Sequence, residues 1–292
     1  MGVTTIDVWE IRMMQFDGGK AAGYARSRFN EKSQLCCESI RGEYAKTFWL
    51  MNDNGLAVVL FDRLGEIALR DKIIGRLRAL SELTVKTFGH EAFRNQGWVD
   101  PFIHRDIYYL EPLRRPQCYR CSNGKFDGPF ECQGGMEGTV HEEWNGSPYW
   151  DEEAYPNLSA SKALSWHKQY KKTGNTKDRE KRDFFVRSLE SLWDAANLGF
   201  RRPKQKDEMT TYYLAAYLLV GEKTGWPAPF DANRRALVRN MLDSLQLQSG
   251  GYATWYVVKN GKVVAHDYGG NTETTSLAVY SSIRPQEYCD FH

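Results

Sequence analysis

The chain has 292 residues and a formal net charge of +2, from 39 basic and 37 acidic side chains. Such a length gives one large domain or two small ones, and a balanced charge without a basic stripe gives no reason to expect a nucleic-acid partner. Apolar residues make up 41% of the chain, enough for a sizeable core, yet no apolar run approaches the roughly 18 residues that a membrane span needs.

The N-terminus, Met1 to Glu10, has no basic start followed by an apolar core. No secretory signal is expected there, and the chain reads as cytoplasmic unless a leader has been removed. Residues 1–30 show no clear period: Thr5–Trp9 suggests a short strand and Gly18-Gly19 a turn. Glu31–Tyr44 is expected to be helical. An apolar run, Lys46–Met51, leads into Asn52-Asp53-Asn54, a dense set of residues that cap helix starts. Leu56, Val59, Leu60 and Leu64 follow at helical spacing, and Gly65 stops them. The next helix is amphipathic, with Ile67, Ile74, Leu77 and Leu80 inward, and ends at Gly89.

Between residues 90 and 156 helical periodicity lapses, and Pro, Gly, Cys, Trp and Tyr become frequent. A structureless loop of that length is improbable in a compact domain. It reads as an irregular, partly β insertion within a single domain spanning 1–292. Cys118-Tyr-Arg-Cys121 has the spacing of half a zinc site, since both thiolates can reach one ion. Cys132 is a third candidate ligand, and His141, His104 or Cys289 a fourth. A disulfide or free thiols are the alternatives to structural zinc. The acidic clusters Glu142-Glu143 and Asp151-Glu152-Glu153 read as solvated loop.

Helical order returns at Asn157. Ser159–Tyr170 makes one helix and Lys177–Trp193 a second, with Phe184, Phe185, Leu189, Leu192 and Trp193 apolar. A third, opened by Asp207-Glu208, contains Leu214 to Leu219, and a fourth, capped by Asp231, carries Leu237, Val238, Met241, Leu242 and Leu245. Gln246-Leu-Gln248 runs into a Gly-Gly turn. An aromatic hairpin is expected from Tyr252 to His266 around Asn260-Gly261, and then a last apolar helix whose first turn carries Asn271, Thr272 and Glu273.

Two of these segments are alike. Each ends in Lys-Thr-Gly, at 172–174 and at 223–225, 51 residues apart, and Leu64-Gly65 ends a similar helix about two periods earlier. A period near 50 with two helices per unit indicates helical hairpins stacked side by side. The helices beginning near 54, 160, 209 and 273 are rich in small and apolar residues and suit an inner layer. Those near 67, 177 and 231 are amphipathic and suit an outer one. Gln248-Ser-Gly-Gly-Tyr252 resembles the glutamine–glycine–aromatic turn of squalene cyclases and prenyltransferases, and Asn271–Ala278 resembles the start of an inner helix. On these motifs the chain, over about 46–90 and 157–284, resembles the α/α-toroid proteins, which also include many carbohydrate-active enzymes. The resemblance implies a mainly α fold, an incomplete or small ring of hairpins, with the last inner helix paired to Glu31–Tyr44.

It further implies inner helices that all run one way, so that their N-termini converge. Helix starts carry free N–H groups and partial positive charge. Asp53, Asp207, Glu208 and Glu273 then become candidate catalytic carboxylates, with Asp53 and Glu273 the favoured pair. Asn54, Asn157, Tyr212, His266 and Asn271 would line the pocket, and Trp49, Tyr212, Tyr252 and Trp255 could stack on sugar faces. Asp, Asn and early Glu are also what any helix start prefers. Paired carboxylates suit glycoside hydrolysis, one protonating the leaving oxygen and the other activating water or attacking carbon; Tyr212 and His266 could instead serve a polysaccharide lyase as acid and base. No cofactor is required for either. An isoprenoid cyclase or prenyltransferase-like enzyme would use the aromatics around a carbocation, but the Asp-x-Asp-Asp and Asp-Asp-x-x-Asp motifs are absent. The third reading is a non-catalytic ligand-binding module. An oligosaccharide or other small molecule is the expected partner; oligomeric state is left open.

Overall fold

The structure is a computed structural model that describes residues 16–32, 34–37, 52–83, 117–122, 125–131, 156–201, 208–266 and 269–282. It is mainly helical, with a few small antiparallel sheets. In chain order the elements are α1 (Gly18–Arg28), β1 (Phe29–Asn30), β2 (Leu35–Cys36), α2 (Asn52–Arg63), α3 (Ile67–Leu83), β3 (Gln117–Ser122), β4 (Lys125–Glu131), α4 (Pro156–Thr173) and α5 (Thr176–Ser191). Then follow β5 (Trp193–Asp194), β6 (Gly199–Phe200), β7 (Met209–Thr210), α6 (Thr211–Thr224), α7 (Ala232–Ser244), β8 (Trp255–Lys259), β9 (Lys262–Ala265) and α8 (Thr272–Ser282).

Four helices form a continuous row: α2 packs on α8, α8 on α6, and α6 on α4. For α2, α6 and α8 the sequences explain why they lie inside. In α6 the run from Thr211 to Gly221 is buried on every side, and in α8 so is nearly every residue from Thr272 to Ser281. Every residue from Asn54 to Phe61 in α2 is buried too. A helix apolar all round can only be a core helix. Each fully buried Leu or Val, such as Leu214, Leu218 and Val220, contributes about 1.5–3 kcal/mol relative to exposure.

A second layer covers the row, with α3 on α2, α5 on α4 and α7 on α6. These helices bury one stripe each: Val186 and Leu189 in α5; Val238, Met241 and Leu242 in α7. Both α5 and α7 start at an acceptor side chain. Asn175 takes the Lys177 N–H, and Asp231 takes those of Asn233 and Arg234. The helices before them, α2, α4 and α6, are each followed by a left-handed glycine, Gly65, Gly174 and Gly225, at φ of 72°, 68° and 73°. The same turn closing three successive hairpins is the structural counterpart of the repeat.

Four expectations are corrected. Residues 31–32 and 34–37 are not helical: they hold a turn and β2, which pairs with β1 so that Phe29 lies opposite Cys36. Besides α2 and α6, the helix that packs on α8 is α1, which comes earlier in the chain than Glu31–Tyr44. The Gly18-Gly19 pair opens α1 rather than a turn, because Asp17 accepts the Lys20 N–H at 3.0 Å and Ala21, Ala25 and Arg28 share one buried face. Tertiary packing outweighs the poor helix propensity of glycine here. Finally, Ile67 is 45% exposed and Phe184 60%, so neither serves the core. The candidate strand Thr5–Trp9 and residues 38–44 lie outside the described residues.

Within the insertion, β3 and β4 form an antiparallel hairpin with a register shift between Cys118 and Arg120. The hairpin expected around Asn260-Gly261 is present as β8 and β9, with Lys259 opposite Lys262 and both turn residues at positive φ. Its outer neighbour is β7, so a three-stranded sheet in the order β7–β8–β9 leads straight into α6.

Gly221 shows how tightly α6 is packed. A Cβ there would lie 2.4 Å from the ring of Trp226. That indole is wedged against Tyr217 and Phe230, at centroid distances of 5.6 and 5.0 Å, with Arg235 stacked at 4.6 Å. Gly221→Ala is expected to cost about 2–3 kcal/mol by overpacking, read as a shifted midpoint in urea unfolding followed by tryptophan fluorescence.

Candidate functional site at the helix starts

Side-chain contacts show which ends of the central helices meet. Arg63 at the end of α2 stacks on Tyr280 near the end of α8 at 4.8 Å, and Lys223 near the end of α6 reaches the same ring at 5.1 Å. At the opposite ends, Asn54 in α2 and Thr272 in α8 hold consecutive residues. Cys36 donates its N–H to Asn54 Oδ1 at 2.6 Å, Asn54 Nδ2 donates to the Cys36 carbonyl at 3.1 Å, and Thr272 Oγ1 donates to the Cys37 carbonyl at 2.6 Å. Near the starts of α6 and α8, Thr211 N–H donates to the Thr254 carbonyl at 3.0 Å and Tyr252 N–H to Thr275 Oγ1 at 2.9 Å. Hence α2, α6 and α8 run in the same direction, and their positive ends lie together.

The first turn of α8 is capped by Asn271, whose Oδ1 accepts the Thr274 N–H at 2.7 Å. Glu273, next to it, is half-buried. Asp53 stands in the first turn of α2, beside Asn54; its side chain is outside the described part. Because Asn54 and Thr272 grip neighbouring residues, the backbone at Asp53 and at Glu273 is brought to one region of the molecule.

Glu208 and His266 also come together. The sheet sets Thr210 opposite Trp255, and His266 N–H donates to the Trp255 carbonyl at 2.9 Å. The chain ends on either side of that pair then place the Glu208 carboxylate against His266 Nδ1. Both side chains are about half exposed, at 48% and 58%, so the pair adds at most about 1 kcal/mol to stability. Trp255 is partly buried beside them.

Other candidates have different duties. Asn54 has no exposed surface, and its amide pairs with Cys36. Tyr252 is likewise fully buried, so it offers no face to a ligand in this structure. Tyr212 is buried edge-on to Tyr213 at 6.5 Å. Three polar atoms near helix starts are buried without any hydrogen-bond partner: Asn157 Oδ1 in α4, Thr211 Oγ1 in α6 and Ser276 Oγ in α8. Such atoms are uncommon in native proteins, and a bound polar group is one way to satisfy them.

Trp49, Asp207 and Cys132 lie outside the described residues. Cys118 and Cys121 fall on β3, with Phe130 and Phe126 as their pairing partners. Their side chains are not described, and among the described residues no group of three His, Cys, Asp or Glu forms a metal cluster. Cys36 is buried, and burial with Cys37 beside it pushes its thiol well up, away from thiolate chemistry. The part Cys36-Cys37 plays at the helix starts carries no sequence signal, because it is made by the backbone.

No protein-family model, no curated protein and no solved structure matches the chain. Among the described residues no helix is long and apolar enough to cross a membrane.

Proposed function

We propose that the protein is a carbohydrate-active enzyme of α/α-toroid type, a glycoside hydrolase in preference to a polysaccharide lyase. Its pocket lies where the inner helices begin. The observation that carries this reading is the joint grip of Asn54 and Thr272 on Cys36 and Cys37, which draws the first turns carrying Asp53 and Glu273 to one place. Two carboxylates at one helix-start region are the minimum for acid and base or nucleophile roles in glycosidic cleavage. The parallel direction of α2, α6 and α8 supports the toroid, and the hairpins with repeated glycine turns support it further. Glu208, His266 and Trp255 form the second polar and aromatic group at this end, suited to holding a sugar ring by stacking and hydrogen bonds. Thr211 offers an unmet polar atom to the same ligand. Structural zinc at Cys118, Cys121 and Cys132 remains a separate proposal for the insertion, with no part in the chemistry.

Asp53→Asn and Glu273→Gln are each expected to lower turnover of an oligosaccharide panel at least about 1,000-fold, the scale of losing an acid, base or nucleophile, with far-UV circular dichroism unchanged. Full activity in both variants sinks the assignment. Thermal stabilisation by an isoprenoid diphosphate, with none by any oligosaccharide, moves the protein to the cyclase class.

A further inference from the structure

The α4–α5 hairpin carries more positive charge than the whole chain. Residues 156–191 hold nine Lys and Arg against four Asp and Glu, a net of +5 in a chain of net +2, which leaves −3 for everything else. The fold then ties up three of the four acids. Asp178 is buried and accepts from the Thr173 hydroxyl at 2.8 Å, Asp183 pairs with Arg182 at 2.6 Å, and Glu190 pairs with Arg234 of α7. Of the four only Glu180 is exposed, against exposed Lys171, Lys172, Lys177, Arg179, Lys181 and Arg187.

Aromatic rings sit among these cations. Phe184 is 60% exposed and lies one turn from both Lys181 and Arg187, with Lys177 two turns away on the same face of α5. Its ring stands edge-on to Phe185, with centroids 5.2 Å apart. Lys162 of α4 sets its ammonium over the Phe185 ring at 5.2 Å, and Lys181 sets its own over Trp166 of α4 at 3.8 Å. The patch is therefore two helices wide, and it runs about 15 Å along α5 from Lys177 to Arg187. A partner that stacks flat rings, such as a sugar or a nucleobase, requires open aromatic faces. Here ammonium groups already occupy faces of Trp166 and Phe185. What the patch presents is positive charge around one projecting apolar ring, the pairing that an anionic bilayer surface binds. We propose that this face of α4–α5 docks peripherally on an anionic phospholipid surface. The lysines and arginines meet the phosphates, and Phe184 enters the boundary between headgroups and acyl chains.

Co-sedimentation of the full chain with lipid vesicles tests the surface. Vesicles of phosphatidylglycerol and phosphatidylcholine in equal parts are expected to carry the protein down, and vesicles of phosphatidylcholine alone to leave it in solution. Raising the salt from about 0.1 M to about 1 M should release it, as the screening length falls from about 10 Å to about 3 Å. Phe184→Ala is expected to weaken partitioning about five- to tenfold, and Lys181→Gln and Arg187→Gln about fivefold each. Lys20→Gln removes the same charge from an exposed position on α1 and should change nothing. All four side chains are exposed, so far-UV circular dichroism should match that of the parent. Equal binding to both kinds of vesicle, or binding to neither, overturns the proposal. So does anionic-vesicle binding that Phe184→Ala and Lys181→Gln leave intact. Capture of polygalacturonate or single-stranded DNA through Lys181 and Arg187, without vesicle binding, assigns the patch to a soluble polyanion and overturns it too.

Discussion

Gly250→Ala is expected to cost about 3–5 kcal/mol and to loosen α1 from the rest of the protein. Gly250 sits at φ +93°, a conformation that side chains other than hydrogen rarely adopt. Worse, a Cβ there would lie 2.0 Å from the carbonyl oxygen of Lys20, a backbone atom in the first turn of α1. A flexible side chain could swing aside; a helical carbonyl moves only if its helix moves. The adjoining contacts would go with it. Gln246 pairs with the backbone of Asp17, accepting its N–H at 2.9 Å and donating to its carbonyl at 3.0 Å, and a Cβ at Gly251 would meet the Tyr24 ring at 2.4 Å. Hydrogen exchange should therefore report lost protection across residues 18–28, ahead of the rest of the chain. Gly23→Ala is the control. Gly23 lies in the same helix with nothing within 4 Å of a new Cβ, and the change should stabilise by about 0.5–1 kcal/mol through helix propensity. Equal effects from the two substitutions would show that α1 does not rest on the Gly-Gly turn.

Asn54→Ala is the second large effect, expected at about 3–4 kcal/mol. The side chain is wholly buried and makes two hydrogen bonds to the backbone of one residue, to the N–H and the carbonyl of Cys36. Removing it strips both groups of these bonds in a place water does not reach, and each loss costs about 1–3 kcal/mol. Urea denaturation measures the total. Asn54→Asp separates hydrogen bonding from shape. A carboxylate keeps the bond from the Cys36 N–H but faces the Cys36 carbonyl with like charge, and only its protonated form restores the second bond. The folded-state pKa of the new group is thus raised. Its stabilising contribution is present at low pH, below the unfolded carboxylate pKa, and is lost as pH rises through the folded value. A variant equally stable at pH 4 and pH 8 would contradict the bidentate role of Asn54. The loss should also reach function if the proposed site is correct, since Asn54 adjoins Asp53 and shares its support with Thr272 and Glu273.

How legible the molecule was depended on the range of the interaction. The hairpins α2–α3, α4–α5 and α6–α7, the glycines that end their first helices and the β8–β9 turn all follow from local rules: apolar spacing, capping acceptors and residues that tolerate positive φ. The split between helices apolar all round and helices with one stripe was legible too, because burial on every side leaves no room for polar residues. By contrast, α1 was invisible. Its small residues show no strong stripe, and its reason to exist is the groove over Gly250 and Gly251, more than 200 residues later. The β1–β2 pair was missed for the same cause: Asn54 supplies hydrogen bonds to Cys36 that no nearby sequence announces.

The candidate site divides in the same way. Capping chemistry marked Asn271, and its side chain does cap α8. Sequence alone could not tell that Asn54 and Tyr252 would be buried while Glu208 and His266 would meet at the surface, because those outcomes depend on which chain segments cross. The order of residues by itself determined the helical hairpins, their glycine stops and the polar character of each helix start, all of which arise within a few residues of one another. Only the tertiary structure decided that α2, α6 and α8 point the same way, that α1 closes against the Gly-Gly turn, and which polar groups end up sharing a neighbourhood. Those are contacts between distant segments, governed by close packing and by the need of buried polar atoms for partners.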